Sequence, residues 1–399
     1  MFIVCKFGGS SLSSAESVKK VIEIVQSDAA RGIVVVSAMG SMYKGQRKIT
    51  DLLYDVYNGD NEAWAEVAQR YSNLGKELGI DEIDEWIAEA KRNIEEKNSL
   101  DCTLSKGEYL MGLMMAKLLC CEFIDGARIV RFCFDKNWDV KGTMSLSKAT
   151  LKNVKKAVIA GFYGADENGN IVTFSRGGSD ITGAIVANAV DADLYENWTD
   201  VDGFLAINPK LNDNAELIRC ISYSELCELS YYGAEVLHYQ TVIPLMFKAI
   251  PLNIKNTYNT KADGTMVTYQ VTEGVKGMAL RNYIMLDIEC FDVKKVSKAS
   301  VEGDKVIEGI NGLIILTNRQ DAVEQFIATK AITKMRVKDV SVIAVAGCCF
   351  KECSEICHTL QNARLYPIAL EHKSHSVTII IEREKSELAA NALYEALFK

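Results

Sequence analysis

The sequence predicts an α/β protein on a mainly parallel sheet, and three observations carry that expectation. The apolar run Phe2-Ile3-Val4-Cys5, the helix-spaced set Val18, Val21, Ile22 and Val25, and the run Ile33-Val34-Val35-Val36 follow one another near the start of the chain. Spacing of i, i+3, i+4, i+7 marks one face of a helix, and short β-branched runs mark buried strands, so the segment reads as a βαβ unit. Similar alternation continues to about residue 265. The chain has 399 residues, 48% hydrophobic and 25% charged, enough for a large core and two or three domains.

The elements follow in order. Ser13 and Glu16 have capping-box spacing at the start of the first helix. Residues 51–122 read as mostly helical: Trp64, Val67, Ala68 and Tyr71 share a helical spacing and are assigned to the core, and Asp81 to Lys97 is a charged helical stretch. Further strands are expected at Arg128-Ile129-Val130, Ala157 to Ala160, Ile171 to Phe174, Leu194 to Asn197 and Pro251 to Ile254, with a helix over Thr182 to Ala189. Past Gly264-Thr265 the glycine-rich loops stop. Strands at Ile284 to Ile288, Leu313 to Leu316, Val340 to Val345 and Val377 to Ile381 alternate with short helices, and Leu388 to Leu397 forms a last one. Compact βαβ-type modules of about 60 residues suit this region, which places a boundary near residue 275, with one domain over 1–275 and a second region over 276–399.

Charge and composition narrow the function. Lys and Arg total 45 against 53 Asp and Glu, a net charge of -8, which disfavours nucleic acid as a partner. No apolar stretch approaches the roughly 20 residues that span a bilayer, and Phe2-Ile3-Val4 reads as a strand, so no membrane association and a cytoplasmic location are expected. The twelve cysteines are expected to be reduced. Cys349, Cys353 and Cys357 recur at helical i, i+4, i+8 spacing beside His358, but one helix face does not close a tetrahedron around zinc, and no metal site is assigned.

Three glycine-rich or acidic segments carry the chemistry. KFGGSS, residues 6–11, follows the first strand and precedes a helix, so backbone N–H groups can receive an anion beside the charge of Lys6. No GxxxxGK[ST] and no strand-led GxGxxG occurs, which excludes a P-loop and an obvious dinucleotide fold. FSRGGSDITG, residues 174–183, repeats the arrangement with Arg176 and Asp180 around Gly177, Gly178 and Ser179. WTDVDGFLAINPK, residues 198–210, offers Thr199, Asp200, Asp202 and Lys210 after a strand. Loops at the C-terminal ends of parallel strands are where α/β proteins bind ligands, so all three are expected to converge on one crevice.

With these in hand the chain resembles the aspartokinases, ATP-dependent aspartate kinases of the amino-acid kinase (carbamate-kinase-like) superfamily. KFGGSS, VVVSAMG at 34–40, SKGEYL at 105–110, FSRGGSD, WTDVDG and GAEVLH at 233–238 occur in that family's order, over residues 1 to about 265. The resemblance implies a three-layer sandwich with a mainly parallel central sheet, followed by α+β modules similar to ACT domains.

It also implies roles. Lys6, Gly8, Gly9 and Ser10 would hold the transferred phosphoryl group, with Lys6 and Asp180 catalytic. Glu108 would pair the substrate ammonium and Arg176 its α-carboxylate. Ser37, Thr50, Ser179 and Asp180 would orient L-aspartate, and Thr199, Asp200 and Lys210 would face ATP, with Mg2+ bridging its phosphates. The implied product is 4-phospho-L-aspartate, the first intermediate of the aspartate-derived amino acids. Leu205 and Asn208-Pro209-Lys210 depart from the tyrosine and DPR of many members, and Lys210 lacks the arginine fork. Alternatives are an amino-acid-binding sensor or regulatory subunit, and a kinase for glutamate, N-acetylglutamate or a nucleoside monophosphate. The tail implies a homodimer, with Val340 to Val345 and Val377 to Ile381 in the pairing. Phe291 to Ile310 is expected to lack the helix and strand of an effector pocket.

Overall fold

The computed structural model describes residues 1–175, 177–234, 237, 239–301, 304–309 and 312–398. The chain divides into two compact units.

The first unit holds Met1–Phe204, Leu217–Tyr223 and Val236–Val271. Its chain runs β1 (Ile3–Phe7), α1 (Ala15–Gln26), β2 (Arg31–Val36), α2 (Ile49–Tyr57), α3 (Asn61–Glu77), α4 (Ile83–Lys97), α5 (Leu100–Leu118), β3 (Glu122–Ile124), α6 (Val140–Leu151), β4 (Ala157–Ala160), β5 (Tyr163–Ala165), β6 (Ile171–Thr173), α7 (Gly178–Ala189), β7 (Leu194–Thr199) and β8 (Cys220–Ser222). After α8 (Tyr223–Tyr231) it returns as α9 (Val242–Met246), β9 (Leu252–Asn256) and β10 (Thr265–Thr268).

Eight strands form one sheet in the order β3-β4-β2-β1-β7-β9-β10-β8, parallel except for the β9–β10 pair. Side chains alternate across it. Ile3, Cys5 and Phe7 of β1 join a core with Val18, Val21 and Ile24 of α1 and Leu110, Met111 and Met114 of α5. Val4 and Lys6 are left to the opposite face, where α7 contacts β1, β2 and β7. Helix α7 is apolar all round because it is itself covered, by α6 and α9. The result is three layers with Lys6 on the α7 side.

Local readings need two corrections in this unit. The first helix is capped by Ser14, whose hydroxyl accepts from the Ser17 N–H at 3.2 Å; Ser13 instead donates to the Ser10 carbonyl. Arg128 closes a short 3-10 turn, Gly126–Arg128, where a strand over 128–130 was expected; Ile129 and Val130 are fully buried, but outside the sheet. Burial explains an apolar run without requiring a strand.

The second unit holds Leu205–Glu216, Ser224–Glu235 and Thr272–Lys399. It continues as β11 (Gly277–Cys290), α10 (Val293–Ser297), β12 (Lys305–Gly309), β13 (Gly312–Thr317), α11 (Ala322–Ile327), β14 (Ile332–Ala346), α12 (Phe350–Asn362), β15 (Ala369–Lys373), β16 (Ser376–Glu382) and α13 (Ser386–Phe398). Its six strands form one sheet, β12-β13-β11-β14-β16-β15, with every pairing antiparallel, in place of the expected βαβ-type modules. The region 291–310 does hold a helix and a strand: Val296 of α10 is fully buried in a cluster with Leu286, Ile315 and Phe326. Ile310 lies outside the described residues. Val340, Val342 to Val345, Val377, Ile379 and Ile381 are buried within the single chain, so these segments are not left free for a second copy.

All twelve cysteines are free thiols. Cys349 precedes α12, and its N–H donates to Glu352 at 2.9 Å. Among the described residues no helix is long and apolar enough to cross a membrane.

Candidate active site

Four parallel strands of the first unit end together, and backbone hydrogen bonds tie their outgoing loops. The Gly8 N–H donates to the Trp198 carbonyl of β7 at 3.0 Å, the Gly40 N–H to the Gly9 carbonyl at 2.9 Å, the Ser37 N–H to Phe7 at 3.2 Å and the Gly161 N–H to Val36 at 3.0 Å. Glycine is required where those loops cross. A Cβ on Gly40 would stand 2.3 Å from the Gly9 carbonyl oxygen, and one on Gly161 would stand 2.8 Å from the Ser179 Cα.

Gly8 is different. Its φ of -72° suits any residue, and a Cβ there would meet nothing closer than the Lys6 Nζ at 3.5 Å. Its missing side chain leaves the Lys6 ammonium and the Trp198 carbonyl without a methyl group in contact with them.

Lys6 is 7% exposed, and its Nζ lies 2.5 Å from Asp180 Oδ1 in the first turn of α7. Asn197 of β7 donates to the same oxygen at 3.0 Å. The parallel register pairs Lys6 with Asn197, so both side chains leave the sheet on one face. Sequence reasoning missed Asn197; strand alternation could have aligned it with Lys6, but only once β1 and β7 are known to be neighbours. Gly177 precedes helix α7, in the left-handed conformation with φ 60°, and no side chain caps the helix. Its N-terminal N–H groups therefore remain available to an anion.

Glu108 comes from α5. It is 6% exposed, its Oε2 has no hydrogen-bond partner among the described atoms, and burial pushes its carboxyl up to about 8, against the opposing pull of the Ala38 N–H and the Lys6 ammonium. A buried carboxyl oxygen without a partner is costly, and a cation brought to it would remove the cost. Tyr71 sets the geometry nearby: its buried hydroxyl accepts from the Met39 N–H at 3.1 Å and donates to the Gly107 carbonyl at 2.8 Å. Tyr71 is thus core, as its spacing predicts, with a polar duty the spacing does not reveal.

The remaining predicted residues are distributed as follows. Ser179 is buried beside Gly161, Ser37 and Thr50 are half-buried, and Ser10 supplies its carbonyl to Tyr258. Thr199 donates to Asp200 at 3.2 Å at the exit of β7. Leu205 and Lys210 belong to the second unit, where the Lys210 N–H donates to Asn208. Arg176, and Glu235, Val236 and His238 of GAEVLH, lie outside the described residues. Of the expected crevice, the structure brings together KFGGSS, the loop after β2, Glu108, Ser179-Asp180 and the end of β7.

This geometry has known counterparts. Residues 1–256 match the amino acid kinase family. The chain is 36% identical over 288 residues to aspartokinase 3 of Bacillus subtilis, a match covering 66% of this chain and 63% of that protein; the chain therefore spans less than two thirds of that relative's length. Its fold matches the crystal structure of the Clostridium acetobutylicum aspartate kinase with a TM-score of 0.89, over 99% of this chain and 100% of that one at 33% identity. It also matches E. coli aspartokinase III, with a TM-score of 0.80 across both whole chains at 22% identity, a likeness of fold alone. The chain belongs to the amino acid kinase family, in its aspartokinase group.

Proposed function

We propose that the chain transfers the γ-phosphoryl group of ATP to the side-chain carboxylate of L-aspartate, giving 4-phospho-L-aspartate and ADP. The observation that carries this reading is the buried ammonium of Lys6 with no side chain on Gly8 beside it, together with the buried carboxyl of Glu108 on α5, whose Oε2 has no hydrogen-bond partner among the described atoms. A phosphoryl group fits the first and a substrate ammonium the second.

In this reading an aspartate carboxylate oxygen attacks the γ-phosphorus as the bond to the β,γ-bridging oxygen breaks, and ADP leaves with that electron pair. The acceptor is ionised at neutral pH, so no general base is required. Lys6 offsets charge on the phosphoryl oxygens, the Gly9 and Ser10 backbone and the start of α7 add N–H donors, and Asp180, held by Asn197, aims the lysine. Ser37, Thr50, Ser179 and Arg176 would orient the amino acid. Thr199 and Asp200 would meet the nucleotide. Among the described residues no cluster of three His, Cys, Asp or Glu could hold a metal ion; Mg2+ would arrive on the ATP phosphates, where it spreads their charge.

The test is ADP release measured with ATP, Mg2+ and each of L-aspartate, L-glutamate, N-acetyl-L-glutamate and UMP. Turnover with L-aspartate alone supports the reading. Turnover confined to another acceptor, or none, overturns it.

A further inference from the structure

The first unit also contains a cavity of about 300 Å³ between α4, the first half of α5, Asp125 after β3, and the turn at Gly169 and Asn170. That volume is about ten times the share of one liquid water and reaches the lower range of small-molecule sites.

Its lining is polar in an unusual way. Lys106 lines it, 7% exposed; it hydrogen-bonds the Cys102 thiol, and among the described residues no carboxylate comes within ion-pair distance of it. Its ammonium stands 5.0 Å from the centre of the Tyr109 ring. Lys97, Glu89 and Asp125 complete the charged wall. Lys106, Lys97 and Asp125 all lie close enough to the Cys102 thiol to act on it electrostatically. Asp125 is half-buried, and its Oδ1 accepts from the Ala127 N–H at 2.9 Å.

Two positive and two negative groups face one small space. A ligand with a single charge meets repulsion as well as attraction there, whereas one carrying both charges can satisfy both poles. Lys106 and Glu108 are two positions apart on α5, about 200° around the helix, so this wall turns away from the candidate active site.

We propose that this cavity binds a small zwitterion of the α-amino-acid class, with its carboxylate on Lys106 and its ammonium toward Asp125. The inference is independent of the reaction proposed above.

Cys102 provides the readout, because its thiol lines the cavity and is 2% exposed. The full-length protein is treated with methyl methanethiosulfonate, and the labelling rate of Cys102 is followed by peptide mass spectrometry, with exposed Cys133 as internal reference. The probes are the free proteinogenic amino acids other than aspartate, each alone, with acetate and ethylammonium as single-charge controls. At least one amino acid is expected to slow Cys102 labelling about tenfold when present at roughly ten times its Kd. Acetate and ethylammonium should protect little, and K106M should abolish the protection. The proposal is overturned if no amino acid slows labelling more than about twofold, if a single-charge control protects as well as the amino acid, or if protection persists in K106M. Protection of the wild-type protein is read without any variant, so the test stands if K106M does not fold.

Discussion

Lys6 and Asp180 are 174 residues apart in sequence and 2.5 Å apart in space, and Asn197 binds the same Asp180 oxygen from the strand beside Lys6. The pair is largely withdrawn from water, with side chains 9% and 18% exposed. Such a pair fixes the direction of a cation more than it stabilises the fold, because desolvation offsets much of the attraction. This sets an expectation for Lys6→Ala: the protein stays folded, and kcat falls at least ~100-fold with little change in KM for aspartate. Near-native kcat, or an effect confined to KM, would remove Lys6 from the transition state.

Gly8 and Gly40 separate function from folding. Gly8→Ala places a methyl group in ordinary contact with the Lys6 ammonium at a φ alanine accepts, so stability should rise by about 0.4–1 kcal/mol. Activity should fall ~10-fold or more, since the methyl would crowd the ammonium that is proposed to meet the phosphoryl group. Gly40→Ala drives a methyl group into the Gly9 carbonyl and should cost at least ~2 kcal/mol in urea unfolding. Equal stability losses in the two variants would contradict the distinction.

If Glu108 receives the substrate ammonium, as proposed, aspartate binding should depend on pH. Its carboxyl is pushed up to about 8 in the free site, so it carries a proton at neutral pH, and a substrate ammonium would favour the ionised form and expel that proton. Affinity should therefore strengthen as pH rises toward 8 and level off above it, with proton release visible by calorimetry in buffers of different ionisation enthalpy. Glu108→Gln should bind aspartate more weakly and lose this dependence. Stability runs the other way: the folded group holds its proton more tightly than the unfolded one, so its stabilising effect is complete below the ordinary carboxylate range and is lost as pH rises through about 8. Glu108→Gln should accordingly melt higher than wild type near pH 8, with the difference shrinking in acid. An affinity that does not vary below pH 8 would rule out this role.

Tyr71→Phe removes one hydroxyl, strands the Met39 N–H and takes a second donor from the Gly107 carbonyl. The loss should be about 1–3 kcal/mol in chemical unfolding, with a raised KM for aspartate because both groups flank Ala38 and Glu108. An unchanged KM would show that the loop after β2 holds its position without this bridge.

What the sequence made legible depended on contiguity. Lys6, Gly8, Ser179 and Asp180 stand inside short motifs whose strand-bend-helix order is readable in one dimension. Asn197 is not in such a motif: its place opposite Lys6 depends on β1 and β7 being neighbours, which no local pattern states. Ile129 and Val130 read as a strand because a fully buried turn and a buried strand share the same composition. In the second unit four of the six strands match local apolar runs; β12, β15, the antiparallel order and the short helix of Val293–Ser297 do not, the last because five residues hold too few turns for a periodic signal.

The central claim is that phosphate reaches the side-chain carboxylate of aspartate, and trapping the product with hydroxylamine tests it most directly. With ATP, Mg2+ and L-aspartate, the wild-type chain should yield the β-hydroxamate of aspartate in step with ADP, and Lys6→Ala should yield almost none. ADP release without hydroxamate, or equal hydroxamate from L-glutamate, would contradict the account.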